Sequence, residues 1–409
     1  MLMPEAAHRA LAAAYAIPHL IVMTGNDLPG HSASGLVGID QEYGPVARIR
    51  EGLTPLPAPM GFGAADDPAL TEAAWRMAGA ELSALGIGVN FAPVADLAVP
   101  SRVIGARSFG ADEDAVARHV RAAVRGMQSQ GVAACPKHFP GHGGTLADSH
   151  HELPVVDDVA LGPFQDTGAW LTMIGHLDVR SVDPGVPASL SDRVIRVLRE
   201  DLGFGGVVVT DALDMKALAG DPGELAVRAL LAGNDLLLMP ADPEAAFHGI
   251  VRTAQSGRLP VARLAEAAER VRVLTGRIAS LRRRTEVGTP AHQAIAARAA
   301  AAAITVVRGD PVLAACRVTA PPDLQDLAAS LQSHLVPGEH RVHLVATPAD
   351  LVPGAAVTVA LGAPYVLADA TSPTLIAAFG TTPHTVRALA AVLTGQSAPT
   401  GRLPVDLSA

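Results

Sequence analysis

Between residue 36 and about residue 240, short and almost wholly apolar runs alternate with longer amphipathic segments. That alternation restricts the chain to a parallel sheet covered by helices on both faces. The runs are "LVGID" (36–40), "GVNFAPVADL" (88–97), "VAACPKHF" (132–139), "LTMIGHLDV" (171–179), "GVVVTDAL" (206–213) and "NDLLLMP" (234–240), with "HLIVMT" (19–24) as a candidate opening strand. The segments between them read as helices: "DPALTEAAWRMAGAELSALG" and "EDAVARHVRAAVRGMQSQG" both start with acidic residues and stop at glycine.

The polar residues of these runs fall at their C-terminal ends: Asp40, Asp96, Lys137 with His138, His176 and Asp211. In a (β/α)8 barrel that edge is where side chains from several strands converge on one site. An open, doubly wound sheet also binds ligands at strand ends, but polar groups on five successive strands fit a closed ring better than a single crevice. The expected fold is therefore α/β, a TIM-like (β/α)8 barrel over residues 1–284 followed by a smaller α/β domain over 285–409. The boundary falls after the basic-ended helix 263–284, at "TEVGTP". Beyond it come an alanine-rich helix (290–303), the strands "AITVVRG", "RVHLVAT" and "AVTVALG", and the helix "TVRALAAVLTG".

Composition narrows the partners. A net charge of −9 leaves no basic face for a phosphate backbone, so nucleic acid is not an expected partner. The two cysteines, Cys135 and Cys316, form no C-x-x-C pair, which argues against a disulfide framework. The first residues lack a cationic leader, their apolar run is broken by Pro18 and His19, and no long charge-free apolar stretch follows. The reading is a cytoplasmic protein without membrane contact, a monomer or homodimer.

The stretch "KHFPGHGGTLADSHHELP" (137–154) concentrates one lysine and four histidines between turn-formers, in a chain whose only other lysine is Lys216. A lysine placed there points to a site needing a compact ammonium rather than a planar fork. Asp148 and His150 cannot share a helix face at a spacing of two, but in a glycine-rich turn the carboxylate can orient the imidazole and raise its basicity. A loop of solvated charges is the plainer alternative. A metal site would draw on His138, His142, Asp148, His150 and His151, yet the Pro-Gly turn removes the helical spacing that usually presents two histidines, so no metal is expected. Asp211, at the exit of a buried strand, is either a nucleophile or electrostatic stabiliser, or the N-cap of a following helix. Gly141, Gly143 and Gly144 would let the loop move, or simply build a turn. Aromatic residues make up only 3%, and Trp75 and Trp170 fall in scaffold segments. That scarcity leaves few platforms for stacking a ligand.

The run K-H-F-P-G-H-G, followed after four residues by D-S-H and then L-P, resembles the β-N-acetylglucosaminidase (NagZ-like) branch of glycoside hydrolase family 3. "VLREDLGFGGVVVTDALD" resembles that family's nucleophile signature, and "GIDQE", "RVIGARSFG" and "LGAPY…TGRLPVDL" resemble further family segments. The resemblance implies Asp211 as nucleophile and His150 as general acid/base, with Asp148 as its partner. Asp40, Arg48, Arg107, Lys137 and His138 would bind the hydroxyls and acetamido group of a terminal sugar. It implies a retaining exo-β-N-acetylglucosaminidase with no cofactor and a small carbohydrate substrate, such as a cell-wall muropeptide fragment. A phosphorylase using the same machinery, another family 3 β-glycosidase, a metal-dependent barrel hydrolase and a non-catalytic sugar-binding protein are the competing readings.

Overall fold

The computed structural model describes residues 19–23, 35–98, 104–143, 153–282 and 285–407. Its first part contains β1 (Leu20–Val22), β2 (Val37–Ile39), a hairpin of β3 (Gln41–Tyr43) and β4 (Val46–Ala47), β5 (Val89–Asn90) and β6 (Ala133–Ala134). These are followed by β7 (Val155–Val156), β8 (Leu171–Ile174), β9 (Asp178–Val179), β10 (Val207–Ala212) and β11 (Leu236–Leu238). Each apolar run read from the sequence thus contributes a strand, although the hydrogen-bonded ladders are shorter than the runs.

The strands pair in parallel in the orders β1-β2-β5-β6 and β11-β10-β8. Parallel bridges from Lys137 to Val94 and from Phe139 to Ile174 carry the pairing from the first arc to the second. Side chains two residues apart enter one shared core: Val89 and Phe91, Ala133 and Cys135, Leu171 and Met173, Val207 and Val209, Leu236 and Leu238. This period of two sends alternate residues of every strand inward and the rest toward the helices.

One end of that interior is closed by the helix Val261–Leu281. Its Val271, Leu274 and Ile278, spaced for one helix face, join the same core. Arg277 of this helix lies over the ring of Trp170, 4.4 Å from its centroid, and Arg282 donates to the Gly86 carbonyl. Both contacts lie just before strands begin, so the helix sits across the N-terminal strand ends. Asp235, whose side chain is fully buried, accepts from Arg199, Arg263 and Arg270 at 2.6, 2.8 and 3.0 Å. A lone buried carboxylate would be costly; surrounded by three guanidinium groups it ties helix to strand. The opposite, C-terminal edge is left for the site.

The flanking helices Pro68–Ala84 and Glu113–Gln128 start where Asp67 and Asp112 accept from backbone N–H groups three residues on, as N-caps do. They pack closely because Gly126 has no side chain: a Cβ there would meet the Glu72 carbonyl oxygen at 2.4 Å.

A second sheet follows, built from β12 (Thr305–Arg308), β13 (Cys316–Thr319), β14 (His340–Val345), β15 (Val357–Ala360) and β16 (Thr374–Ala377). Its order is β12-β16-β15-β14-β13, with only β12 antiparallel to its neighbour. Sequence patterning anticipated β12, β14 and β15 but not β13 (CRVT) or β16 (TLIA). The two parts meet through a core that includes Met60, Ala303 and Phe379. The backbone bond from Ala58 to Phe379, at 2.8 Å, and that from Tyr365 Oη to the Ala98 carbonyl, at 2.9 Å, reinforce it.

Candidate active site

The strand exits build the site from its backbone upward. Asp40 leaves β2 and Glu42 lies in β3. Gln41 between them is fixed by the buried Asn90, whose Oδ1 accepts from the Gln41 N–H at 2.9 Å and whose Nδ2 donates to its carbonyl at 3.0 Å. With that peptide held, the strand period turns Asp40 and Glu42 toward the same cavity. Val46 and Arg48 reach it from the returning strand, Arg107 from the 3-10 turn Gly105–Arg107, Lys137 and His138 from beyond β6, and Asp211 from β10. The cavity has a volume of about 340 Å³. Its other wall is apolar, formed by Met173, Met215, Leu238 and Met239 among others.

Four of the six described residues expected to act, Asp40, Arg48, Arg107 and Lys137, are linked through ion pairs. Lys137, 3% exposed, donates to Asp40 Oδ1 at 2.7 Å and pairs with Glu42 Oε1 at 2.6 Å. Glu42 also accepts a two-pronged contact from Arg107, Nε at 2.8 Å and a terminal nitrogen at 2.9 Å. Arg48 lies 3.7 Å from Asp40. The division of labour follows the chemistry: the guanidinium fork matches one carboxylate edge to edge, whereas the compact ammonium sits between two carboxylates. Burial by itself would raise the Glu42 pKa, but the charges and hydrogen bonds of Arg107 and Lys137 outweigh it and hold the carboxyl well below its usual range. Burial would likewise lower the Lys137 pKa, and Asp40 and Glu42 reverse the direction and raise it. Two of the three ammonium protons are engaged, leaving one for a ligand.

His138 is held separately, by Asp96, which is fully buried. The His138 ring donates from Nδ1 to Asp96 Oδ2 at 2.7 Å, while Asp96 Oδ1 accepts from the backbone N–H groups of His138 at 3.1 Å and His142 at 2.6 Å. Burial acts to raise the Asp96 pKa; the His138 charge and hydrogen bond, with the His142 contacts, lower it overall. With Nδ1 occupied, the Nε2 edge of His138 is the one left for a ligand.

Asp211 sits in the last turn of β10, and its Oδ1 accepts from the Ala212 N–H at 2.8 Å. No helix starts there: among the described residues the next begins at Pro222, capped by Asp221. The N-cap alternative for Asp211 is thereby removed. Burial works to raise its pKa, but His138, His176, the Ala212 N–H and Lys137 lower it overall, favouring the ionised carboxylate. His176 is fully buried; its Nε2 donates to the Ala212 carbonyl at 2.8 Å and its Nδ1 accepts from Ser189 Oγ at 2.7 Å. It thus fixes the backbone that carries Asp211.

The expected acid/base pair, Asp148 and His150, lies outside the described residues, as do Gly144 and His151. Just before those residues Gly141 adopts φ +120°, and a Cβ on Gly143 would meet the Leu97 carbonyl oxygen at 2.1 Å. Gly143 is therefore needed for close backbone approach. Among the described residues no three His, Cys, Asp or Glu side chains are grouped as metal ligands would be. The network also contains groups that residue patterning passed over. Glu42 was visible only as part of "GIDQE", and Asp96 as one polar strand end among several; their burial and their partners come from other strands.

The chain is similar to proteins of one known family. The model of the glycosyl hydrolase family 3 N terminal domain matches residues 32–274. A beta-hexosaminidase of Mannheimia succiniciproducens is 42% identical over 245 residues, covering 55% of this chain and 69% of that protein. A beta-hexosaminidase of Vibrio cholerae is 39% identical over 223 residues, covering 52% of this chain and 67% of that protein. The solved structure of a family 3 beta-N-acetylglucosaminidase from a Paenibacillus strain superposes with a TM-score of 0.88 at 30% identity, over 100% of this chain and 96% of that one.

Proposed function

This chain belongs to glycosyl hydrolase family 3 and is a glycoside hydrolase; on that footing we propose that it is a retaining, exo-acting β-N-acetylglucosaminidase. The observation that carries the reading is the pocket that Asp211 lines together with Lys137, Arg107, Asp40, Arg48 and His138. Such a pocket suits one terminal sugar gripped by hydrogen bonds. The proposed architecture is a (β/α)8 barrel over residues 1–284, with residues 285–409 as a smaller α/β domain.

In this mechanism Asp211 attacks the anomeric carbon and forms a covalent glycosyl ester while His150, oriented by Asp148, gives its proton to the departing oxygen. The neutral imidazole then takes a proton from water, which releases the sugar and restores Asp211 with retained configuration. Lys137, Arg107 and His138 offer donors to the sugar hydroxyls, and Asp40 offers acceptors. The apolar wall of methionines and Leu238 suits the face of the ring and the acetamido methyl. Muropeptide fragments are the proposed substrates, the cytoplasm the proposed location and a monomer or homodimer the proposed state. A histidine acid leaves the pocket one negative charge poorer than a carboxylate acid would, which favours anionic aglycones.

The deciding experiment is hydrolysis of an aryl β-N-acetylglucosaminide with chelator present throughout. Turnover with release of free N-acetylglucosamine supports the reading. Activity that appears only with added divalent metal would replace it with a metal-dependent hydrolase, and sugar 1-phosphate formed on adding phosphate would make the enzyme a phosphorylase. Within the pocket, Asp96→Asn should lower kcat/KM by about tenfold to a hundredfold, because a charge-assisted hydrogen bond to His138 is replaced by a neutral one. An unchanged kcat/KM would show that the His138 ring needs no anchor.

A further inference from the structure

Asp40, Glu42, Asp96, Arg107, Lys137 and His138 are each held by partners on other segments. His142 is not. It is 3% exposed, yet among the described residues neither Nδ1 nor Nε2 of its ring has a hydrogen-bond partner. The ring lines the same cavity as Asp211 and stands edge-on to His138, with centroids 6.0 Å apart. Its starting point is fixed by the backbone bond to Asp96, so one carboxylate places two imidazoles on one wall of the pocket. In His138 the anchoring consumes a ring nitrogen; in His142 it consumes only the backbone, and both ring nitrogens remain open.

A buried imidazole with two open nitrogens disfavours the empty pocket and is relieved when a complementary ligand enters. Burial lowers its pKa, so the neutral ring prevails, with one donor and one acceptor. A carboxylate on the ligand would satisfy only the donor, and an ammonium only the acceptor. A hydroxyl group can meet either nitrogen, since its oxygen accepts and its proton donates.

We infer that His142 is a substrate-binding residue that hydrogen-bonds a hydroxyl group of the sugar seated against Asp211. The assignment rests on the glycosidase reading above. His142 forms no covalent bond and relays no proton; it selects a sugar that carries the hydroxyl and holds it in register with the carboxylate.

The test is a cycle of kcat/KM values for wild type, His142→Phe and His142→Gln on the aryl β-N-acetylglucosaminide and on its monodeoxy analogues. Phenylalanine keeps a buried ring without polar atoms, whereas glutamine restores a donor and an acceptor. On the parent glycoside His142→Phe should lose about tenfold to a hundredfold, and His142→Gln should recover part of that loss. For one monodeoxy analogue, already slow with wild type, His142→Phe should cost little more, because the group it would have bound is gone. If parent and every analogue lose the same factor, His142 acts on the scaffold and the assignment is overturned; the same follows if none loses any. Should the phenylalanine variant fail to fold, the cycle with His142→Leu, which likewise lacks polar atoms, decides by the same criterion. A wild type without turnover of the parent removes the glycosidase reading and this assignment together, whereas an active wild type with a flat cycle removes only the assignment.

Discussion

Asp211→Asn should reduce turnover of an aryl β-N-acetylglucosaminide by about ten-thousandfold or more while the protein remains folded. Asparagine has almost the same shape, and its side-chain oxygen can still accept from the Ala212 N–H that now binds Asp211 Oδ1. What it lacks is the negative charge and lone pair that, in the proposed mechanism, close on the anomeric carbon. The surroundings are arranged for that charge: although burial opposes it, His138, His176, the Ala212 N–H and Lys137 hold the Asp211 carboxyl below its usual range. The sign is then clear. A carboxylate with a depressed pKa stays ionised through the range where an ordinary aspartate titrates, so with Asp211 as the proposed nucleophile the acidic limb of kcat/KM should fall below that range. A slow fluorinated glycoside should also add one sugar to the wild type, on the peptide carrying Asp211, and nothing to the variant. Substantial residual turnover in Asp211→Asn, or an adduct mapped elsewhere, would end the covalent assignment.

Glu42→Gln should destabilise the protein by about 3–5 kcal/mol and collapse kcat/KM with it. The residue is 1% exposed and joins two buried cations, Lys137 at 2.6 Å and Arg107 at 2.8 and 2.9 Å. Without its charge the two cations are left close together with Asp40 as their main balance, and a buried cation short of its partner costs far more than the intact pair gains. Glu42 has a depressed pKa, so its contribution is complete above the unfolded carboxylate pKa and is lost only as pH falls through the lower folded value. Lys137 has a raised pKa, so its contribution is complete below the unfolded lysine pKa and is lost as pH rises through the higher folded value. The network should therefore stabilise evenly across neutral pH, and the difference between wild type and variant should shrink at the acid end. Denaturant unfolding monitored against pH measures both. A variant within about 1 kcal/mol of wild type at neutral pH, with kcat/KM intact, would mean that water or Asp40 already balances the cations.

Much of this could be read before any coordinates. The strands lie where the apolar runs placed them, and Asp40, Lys137, His138 and Asp211 stand at their exits, because burial and strand period are properties of a few consecutive residues. The N-caps at Asp67 and Asp112 are local for the same reason. Less visible was the hairpin Gln41–Ala47: three- and two-residue strands have no period to detect, and only the pairing reveals that one face turns Asp40, Glu42 and Arg48 into the pocket. The helix Val261–Leu281 was legible as a helix but not as the plug of the strand interior, since its apolar face does not say which surface it covers.

What the chain determined by itself was the alternation of strand and helix, the edge on which polar groups gather and the supply of residues able to do glycosidase chemistry. What only the tertiary structure decided was their pairing: Glu42 between Arg107 and Lys137, Asp96 beneath His138, Asp235 among three arginines, and His142 with its ring nitrogens unclaimed. Lys137 and Asp40 are 97 positions apart and Arg107 and Glu42 are 65 apart, yet each pair closes to hydrogen-bond distance. A local pattern records whether a residue will be buried; which charge it meets there depends on how distant segments approach. Electrostatic energy, and with it the pKa of each group, is set by those distances.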